Sequence, residues 1–161
     1  VYNATDAPDL SNVISLWAMF YGCTSFNGDL NNWDVGSVTS MAYMFFGASS
    51  FNQDLGNWNV SKVENMTAMF DHAFAFDQNL GGWDIRSVQT MEHMLTSSGL
   101  SPENYSATLV GWANQDNTPS DITLGADGLT YCEQPAIVAR DVLTDENEGF
   151  NWTILGDSLC D

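Results

Sequence analysis

One 25-residue sequence occurs three times in succession without insertion or deletion, and this constrains the chain more than its composition does. "FNGDLNNWDVGSVTSMAYMF" at 26–45 returns as "FNQDLGNWNVSKVENMTAMF" at 51–70 and as "FDQNLGGWDIRSVQTMEHML" at 76–95. The apolar positions are nearly the same in every copy, whereas the polar positions differ. A fixed period of this size predicts an array in which each copy buries its apolar side against its neighbours.

Two apolar patterns follow each other within a copy. Residues 33–35 alternate apolar, polar and apolar, which predicts a short strand with Asp34 exposed. Residues 38–48 place apolar side chains at helical spacing, and Ser61 with Glu64 fits a capping box at the start of such a helix. We therefore predict the α/β fold class, as a solenoid with a parallel β-sheet on one side and short helices on the other.

Tryptophan recurs at one position of the unit, on the same side as aliphatic residues. We predict that these tryptophans stack in the core, and an exposed ladder that binds carbohydrate is the alternative. Cys23 occupies a position filled by alanine in the next copies, so it is predicted to be a small buried core residue. The tryptophans are Trp33, Trp58 and Trp83.

The pattern "MF..A.SFN.DL..W.V..V..M..MF" over residues 10–100 resembles the BspA-like surface leucine-rich repeats. The segment that follows is similar to the C-terminal segment that closes such arrays. The resemblance implies a leucine-rich-repeat solenoid on a bacterial surface or secreted protein, used for adhesion and protein contact, without a catalytic or metal motif. Asp71, His72 and Phe74 depart from the family consensus, which singles out the surface around them.

The repeats and the tail predict two domains. Residues 1–99 are predicted to form the array, which starts with a partial copy, and residues 100–161 to form a cap packed on it. Ser101 followed by Pro102 is typical of a helix start. The predicted elements of the tail are a helix over 101–115, a strand over 121–125, a helix over 134–143 and a strand over 151–155.

Cys132 and Cys160 lie near the two ends of the part that does not repeat. A disulfide between them is one interpretation, and two free thiols are the other. A disulfide would indicate an oxidising setting, which for this chain means secretion or display on the cell surface.

The chain carries 21 acidic and only three basic side chains, for a formal net charge of −18. Such a field repels nucleic-acid phosphates and anionic lipid headgroups, so we expect no nucleic-acid partner. The apolar runs are too short to span a bilayer, so we expect no direct membrane insertion. The acidity suits high salt or divalent cations, but it also simply keeps a repeat surface soluble.

The sequence offers little for catalysis. Its two histidines, His72 and His93, have no metal-ligand spacing with a cysteine, and no nucleophile elbow or phosphate loop is present. We expect no enzyme activity and no cofactor. Calcium remains an alternative, because residues 77–82 begin like a calcium loop, although the closing Glu is lacking. For the equivalent positions Asp29, Asp54 and Asn79 we predict hydrogen bonds to turn amides rather than a metal.

We therefore expect a non-catalytic extracellular ligand-binding or adhesion module of a larger chain, with a protein, peptide or glycan on another cell or matrix as its partner. A structural spacer and a calcium-stabilised module are the alternatives. The first candidate surface is the predicted strand face, with Asn32, Asp34, Asn57, Asn59 and Asp84. The second is an aromatic set on or beside the predicted helices, with Trp17, Tyr21, Tyr43 and Phe46. Contact with an upstream copy is the alternative for Trp17.

Overall fold

The computed structural model describes residues 7–161, and residues 1–6, with which the predicted array begins, lie outside the described residues. The described residues form a small α/β domain with two helices and two parallel two-stranded sheets. The elements are α1 (Pro102–Ala113), β1 (Thr123–Gly125), β2 (Thr130–Tyr131), α2 (Glu133–Thr144), β3 (Thr153–Leu155) and β4 (Ser158–Leu159). Strand β1 pairs with β3, and β2 pairs with β4.

The predicted helices and strands of the tail are confirmed. The hydroxyl of Ser101 accepts from the amide of Asn104, and Pro102 occupies the first turn of α1, as the capping signal indicated. Tyr105, Leu109 and Trp112 form the buried stripe of α1, because positions i, i+4 and i+7 share one face of a helix.

The predicted leucine-rich-repeat solenoid, with a parallel sheet and short helices, is wrong. Within residues 7–100 the chain forms turns and single bridging residue pairs, and it contains neither a helix nor a strand. The backbone amide of Met41 donates to the carbonyl of Asn65 at 2.9 Å, and not to a carbonyl one helical turn earlier. The amide of Tyr43 donates to the carbonyl of Thr67 at 2.8 Å, and Tyr43 has a φ of 60°. A right-handed helix cannot continue through such residues.

The predicted capping box is also wrong. The Ser61 hydroxyl donates to the side-chain oxygen of Asn59 at 2.7 Å, and the amide of Glu64 donates to the carbonyl of Thr39 at 2.8 Å. Both groups are therefore engaged in turns and in contacts between copies rather than at a helix start.

The sequence copies nevertheless contact each other. We number them copy 1 (residues 10–25), copy 2 (26–50), copy 3 (51–75) and copy 4 (76–100). Equivalent rings of successive copies stack: the centroids of Phe45 and Phe70 are 5.5 Å apart, and those of Phe51 and Phe76 are 6.1 Å apart. The apolar positions that the copies share thus contribute to one hydrophobic core.

The repeated tryptophan lies in this core, as predicted. Trp58 and Trp83 are buried and Trp33 is half-buried. The indole N–H of Trp58 donates to the carbonyl of Leu30 at 3.0 Å, and that of Trp83 donates to the carbonyl of Leu55 at 3.1 Å. The buried N–H of each indole is therefore satisfied by a backbone oxygen of the preceding copy, while the ring fills core volume.

The prediction that Cys23 is buried is wrong. Its thiol is free and the residue is exposed, whereas Ala48 and Ala73 at the equivalent positions are completely buried. The difference follows from position, because copy 1 stands at one end of the stack and has only one neighbouring copy among residues 7–161.

Strand β1 covers the other end of the stack. Met91 of copy 4 pairs with Leu124, and the amides of Leu95 and Ser97 donate to the carbonyls of Gly125 and Asp127 at 2.9 Å each. Gly125 permits this approach, since a Cβ atom there would lie 2.4 Å from the Cα of His93.

Candidate functional site

Six aromatic rings from copies 1 to 3 form a continuous partly exposed run, which we call the aromatic strip. Trp17, Tyr21 and Phe74 expose 66%, 54% and 61% of their surface. Large aromatic side chains normally bury most of their surface, so their clustering on the outside marks a candidate binding site. The strip consists of Trp17, Tyr21, Tyr43, Phe46, His72 and Phe74.

Contacts between neighbouring rings hold the strip together. The rings of Tyr21 and Phe46 stack with centroids 4.8 Å apart and an interplanar angle of 6°. Phe46 also contacts Tyr43 at 6.0 Å and His72 at 5.9 Å, and His72 meets Phe74 edge-on at 5.6 Å. The first pair is stacked and the last is edge-to-face, which are arrangements that aromatic pairs prefer, and the other two pairs are tilted. The rings therefore support each other's orientation.

The spacing of the copies produces this stacking. Tyr21 and Phe46 are equivalent residues of copies 1 and 2. The amide of Gly22 donates to the carbonyl of Phe46 at 2.7 Å, and the amide of Ala18 donates to that of Ala42 at 3.0 Å. These backbone bonds fix the distance between copies 1 and 2, and the rings attached to that backbone stack as a result.

An open apolar pocket of about 380 Å³ lies at one end of the strip, lined by Trp17, Ala18, Tyr21 and Tyr43. Three of these four residues are aromatic. Such a pocket can take an apolar side chain or the face of a flat ligand. The structure therefore brings together all four aromatic residues that the sequence analysis named.

His72 and Phe74 extend the strip beyond that predicted set. The Nδ1 atom of His72 is hydrogen-bonded to the carboxyl group of Asp71, which is largely buried. This bond holds the imidazole ring between Phe46 and Phe74. The departure of these residues from the repeat consensus was the sequence signal that pointed to them, although it did not show that they join the aromatic set.

The predicted polar surface is not a strand face. Asn32 is exposed, and the side-chain amide of Asn57 donates to the side-chain oxygen of Asn31 at 3.0 Å. The other three members serve their own turns: the side-chain oxygens of Asp34, Asn59 and Asp84 accept from the amides of Gly36, Ser61 and Arg86 at 3.1, 3.2 and 3.2 Å.

Arg86 engages Asp84 further. Its guanidinium forms hydrogen bonds and an ion pair with the Asp84 carboxylate, and the side-chain hydrogen bond lowers the pKa of Asp84. The polar set therefore stabilises turns, and its oxygen atoms are partly occupied within the chain.

A second polar position of the repeat makes the hydrogen bonds to turn amides that the sequence predicted. The side chains of Asp29, Asp54 and Asn79 each accept from a backbone amide two residues further on, at 2.9, 2.7 and 2.8 Å. Within residues 7–161, no three His, Cys, Asp or Glu side chains come together to hold a metal ion.

A second pocket, of about 470 Å³, opens between α1 and the start of α2. Pro102, Val110 and Pro135 contribute apolar walls, and Glu103 and Glu133 contribute acidic groups. Sequence reasoning missed this pocket because it depends on how two helices distant in sequence pack against each other.

A largely buried ion pair fixes the tail. The Arg140 guanidinium donates to both carboxylate oxygens of Asp157 at 2.8 Å each, and the Tyr105 hydroxyl donates to the same carboxylate at 3.0 Å. Burial raises the pKa of Tyr105 strongly, and the Asp157 charge adds to this effect, so the phenol stays protonated. The hydrogen bond to Asp157 raises the pKa of Arg140. The network ties α1 and α2 to the residue that precedes β4.

The disulfide between Cys132 and Cys160 is present, which confirms that interpretation of the two cysteines. It links the start of α2 to the residue after β4. In the part of the chain that the structure describes, no helix is both long enough and apolar enough to cross a membrane.

The fold and the surface thus define a small disulfide-bonded α/β domain with an exposed aromatic strip. The chain belongs to the family DUF285, described as "Mycoplasma protein of unknown function", whose family model matches residues 2–107. The resemblance to the BspA-like leucine-rich repeats is therefore wrong, since the matching family is a different one. No curated protein and no solved structure matches the chain.

Proposed function

We propose that this protein is a non-catalytic extracellular binding or adhesion module that holds a protein, peptide or glycan on the aromatic strip. The observation that carries the proposal is the continuous run of exposed rings from Trp17 to Phe74. Tyrosine and tryptophan are enriched at the energetic centres of protein interfaces, because they offer large rigid contact areas. A contiguous apolar patch on an otherwise acidic surface is typical of an interaction site.

The charge of the chain favours a basic partner. The formal net charge is −18, and two of the three basic side chains, Arg86 and Arg140, are paired with Asp84 and Asp157. Such a field attracts cationic ligands and raises their association rate at low ionic strength. A basic peptide or a basic protein surface with an apolar side chain would use both the field and the strip.

The proposed location is outside the cell. The disulfide supports this, since such bonds persist in oxidising compartments and are rare in the cytosol. The proposal includes no catalytic step, no metal and no cofactor. A melting curve with and without a chelator tests the calcium alternative, because calcium bound to the folded state would raise the melting temperature.

A glycan and peptide array, read with the intact chain at low and high calcium, tests the proposal. A ligand found there is then titrated against Trp17→Ala and Phe74→Ala, with Val138→Ala as the matched control, because Val138 is 55% exposed and lies outside the strip. Loss of a ring that anchors the ligand should weaken binding at least about tenfold, while the control should bind normally.

Two outcomes would overturn the proposal. Binding that is equally strong in the Trp17→Ala and Phe74→Ala variants would place the ligand elsewhere. An array without any ligand, together with a folded protein, would favour the structural spacer.

A further inference from the structure

One row of four backbone hydrogen bonds between successive copies runs in a single direction, although the bonds to the carbonyls of Ile14, Thr39 and Glu64 run the other way. From copy 1 to copy 2, backbone amides donate to the carbonyls of Ser40, Ala42, Met44 and Phe46 at 2.7–3.0 Å. The same four bonds recur from copy 2 to copy 3 and from copy 3 to copy 4. In this row, each copy thus offers amides to the following copy and carbonyls to the preceding copy.

Among the residues that the structure describes, the equivalent row of carbonyls in copy 1 has no donor. No residue within 7–161 donates to the carbonyl oxygens of Ser15, Trp17, Met19 and Tyr21, which are the equivalents of the four acceptors in copy 2. We call this row, with the side chains beside it, the open edge. Polar backbone groups are normally satisfied by a partner or by water, so the row is available to a donor.

Two side chains at the open edge, those of Met19 and Cys23, occupy core positions of the unit. Met19 is 46% exposed, whereas Met44, Met69 and Met94 at the equivalent positions are completely buried. Cys23 is exposed in the same way. Burial of apolar side chains at these positions stabilises the contact between the later copies. At the open edge these side chains are exposed, so burying them would provide additional hydrophobic stabilisation.

The opposite end of the stack is closed. Leu95 and Ser97 of copy 4 donate their amides to the carbonyls of Gly125 and Asp127. Within residues 7–161, two of the four equivalent amides of copy 4 are therefore engaged, and Gly125 lies directly against the backbone of His93, so this row of amides is covered by β1. Two open edges would also bring carbonyl oxygens against each other, so self-association through this edge is unfavourable.

We propose that the open edge docks a further copy of the repeated unit, supplied on its N-terminal side. The amides of that copy donate to the carbonyls of Trp17, Met19 and Tyr21, and its apolar side chains cover Met19 and Cys23. This inference does not depend on the proposed ligand site, although Trp17 and Tyr21 belong to both surfaces.

The alkylation rate of the free Cys23 thiol measures whether an added copy covers the open edge. The chain has three cysteines, two of which form the disulfide, so Cys23 is the only thiol that can react in the oxidised protein. For this experiment, a segment with the sequence of residues 26–50, which contains no cysteine, is fused directly before Val1 of the full chain. Because the added segment is one full unit long, this fusion keeps the register of the copies.

Alkylation of the native protein should slow at least about tenfold in this fusion, since a buried thiol reacts only when the covering segment opens. A fusion with the same added segment in scrambled order should react like the original chain. A third fusion, with proline in place of the added phenylalanine equivalent to Phe45, lacks one donated amide and should recover part of the reactivity. Rates in denaturant provide the reference for an accessible thiol.

Equal alkylation of Cys23 in the ordered and the scrambled fusions would overturn the proposal. Because this readout does not involve ligand binding, its failure is distinguishable from failure of the array experiment.

Discussion

The indole nitrogen of Trp112 donates a hydrogen bond to the carbonyl oxygen of Leu80 at 3.0 Å. Trp58 and Trp83 make the same bond to the leucine carbonyl of the preceding copy, at 3.0 and 3.1 Å. Trp112, however, lies on helix α1 and is separated from Leu80 by 32 residues instead of 28. Helix α1 thus supplies the tryptophan that a further copy would have supplied, and it continues the core into the tail.

Replacement of Trp112 by phenylalanine should therefore destabilise the whole domain. The change removes the indole hydrogen bond, so that the Leu80 carbonyl keeps only the bond from the Trp83 amide, and it also removes buried side-chain volume. We therefore expect a loss of about 1–3 kcal/mol in the free energy of unfolding. Urea unfolding followed by circular dichroism measures this quantity. Trp17→Phe is the control, because Trp17 is exposed and its replacement should change the stability by less than about 0.5 kcal/mol. Equal losses in the two variants would contradict the role given to Trp112.

Gly111 permits the close contact between helix α1 and the backbone of copy 4. A Cβ atom at Gly111 would lie 2.4 Å from the Cα of Gly81 and 2.4 Å from its carbonyl oxygen. Such a distance to backbone atoms cannot be relieved by a rotamer change, so α1 would have to shift away from copy 4.

Gly111→Ala should accordingly have opposite effects in two contexts. In the intact protein we expect a loss of about 1–3 kcal/mol, or more, in the free energy of unfolding. In an isolated peptide of residues 101–115, alanine should increase helix content, since it favours the helix by about 1 kcal/mol over glycine. Denaturant unfolding of the protein and circular dichroism of the peptide provide the two measurements. A more stable intact variant would show that the helix does not approach the backbone of copy 4 so closely.

The junction between copy 4 and α1 depends on a charged carboxylate. One oxygen of Asp77 accepts from the amide of Ser101 at 2.7 Å, from the Ser101 hydroxyl at 2.8 Å and from the Asn104 side chain at 2.8 Å. Burial acts to raise the pKa of Asp77, but the hydrogen bonds from Ser101 and Asn104 outweigh it and lower the pKa. Since the folded state binds this proton less tightly than the unfolded state, Asp77 stabilises the fold above its unfolded pKa. This contribution disappears as the pH falls through the folded pKa.

Asp77→Asn should therefore be less stable than the original chain at pH 7, and it should lose less stability on acidification to pH 3. Urea unfolding at both pH values gives the two differences. Asp116→Asn, at an exposed position, is the control and should follow the original chain at both pH values. A pH dependence that is unchanged in Asp77→Asn would rule out a contribution of this carboxylate.

The elements that could be predicted from the sequence are those whose hydrogen bonds join residues close in the sequence. Helix α1 was predictable because Ser101 and Pro102 act within one turn of its start. The conformation of residues 38–48 was not, because apolar spacing fits both a helix and a series of turns, and several amides there bond to carbonyls of the next copy. The positive φ of Tyr43 has no signal in the sequence, since it is not glycine.

The same distinction applies to the candidate site. Tyr21 and Phe46 were predictable as neighbours because equivalent residues of successive copies lie side by side. His72 and Phe74 join the strip because His72 is hydrogen-bonded to Asp71 and because the rings of His72 and Phe74 pack against residues at other positions of the repeat. Such packing follows from the backbone path, which the periodicity did not determine.

The disulfide should contribute substantially to the stability of the tail. It joins Cys132 to Cys160 across a sequence separation of 28 residues. In the chain-entropy account, closing a loop of this size stabilises the folded state by about 3–4 kcal/mol, because it restricts the unfolded chain. The double variant Cys132→Ser/Cys160→Ser should lose stability of this order in urea unfolding, and the original chain should lose a similar amount in reductant. Cys23→Ser should behave like the original chain, since Cys23 is exposed and unbonded. Equal midpoints for the double variant and for Cys23→Ser in oxidising buffer would show that the bond between α2 and the end of the chain does not stabilise the protein.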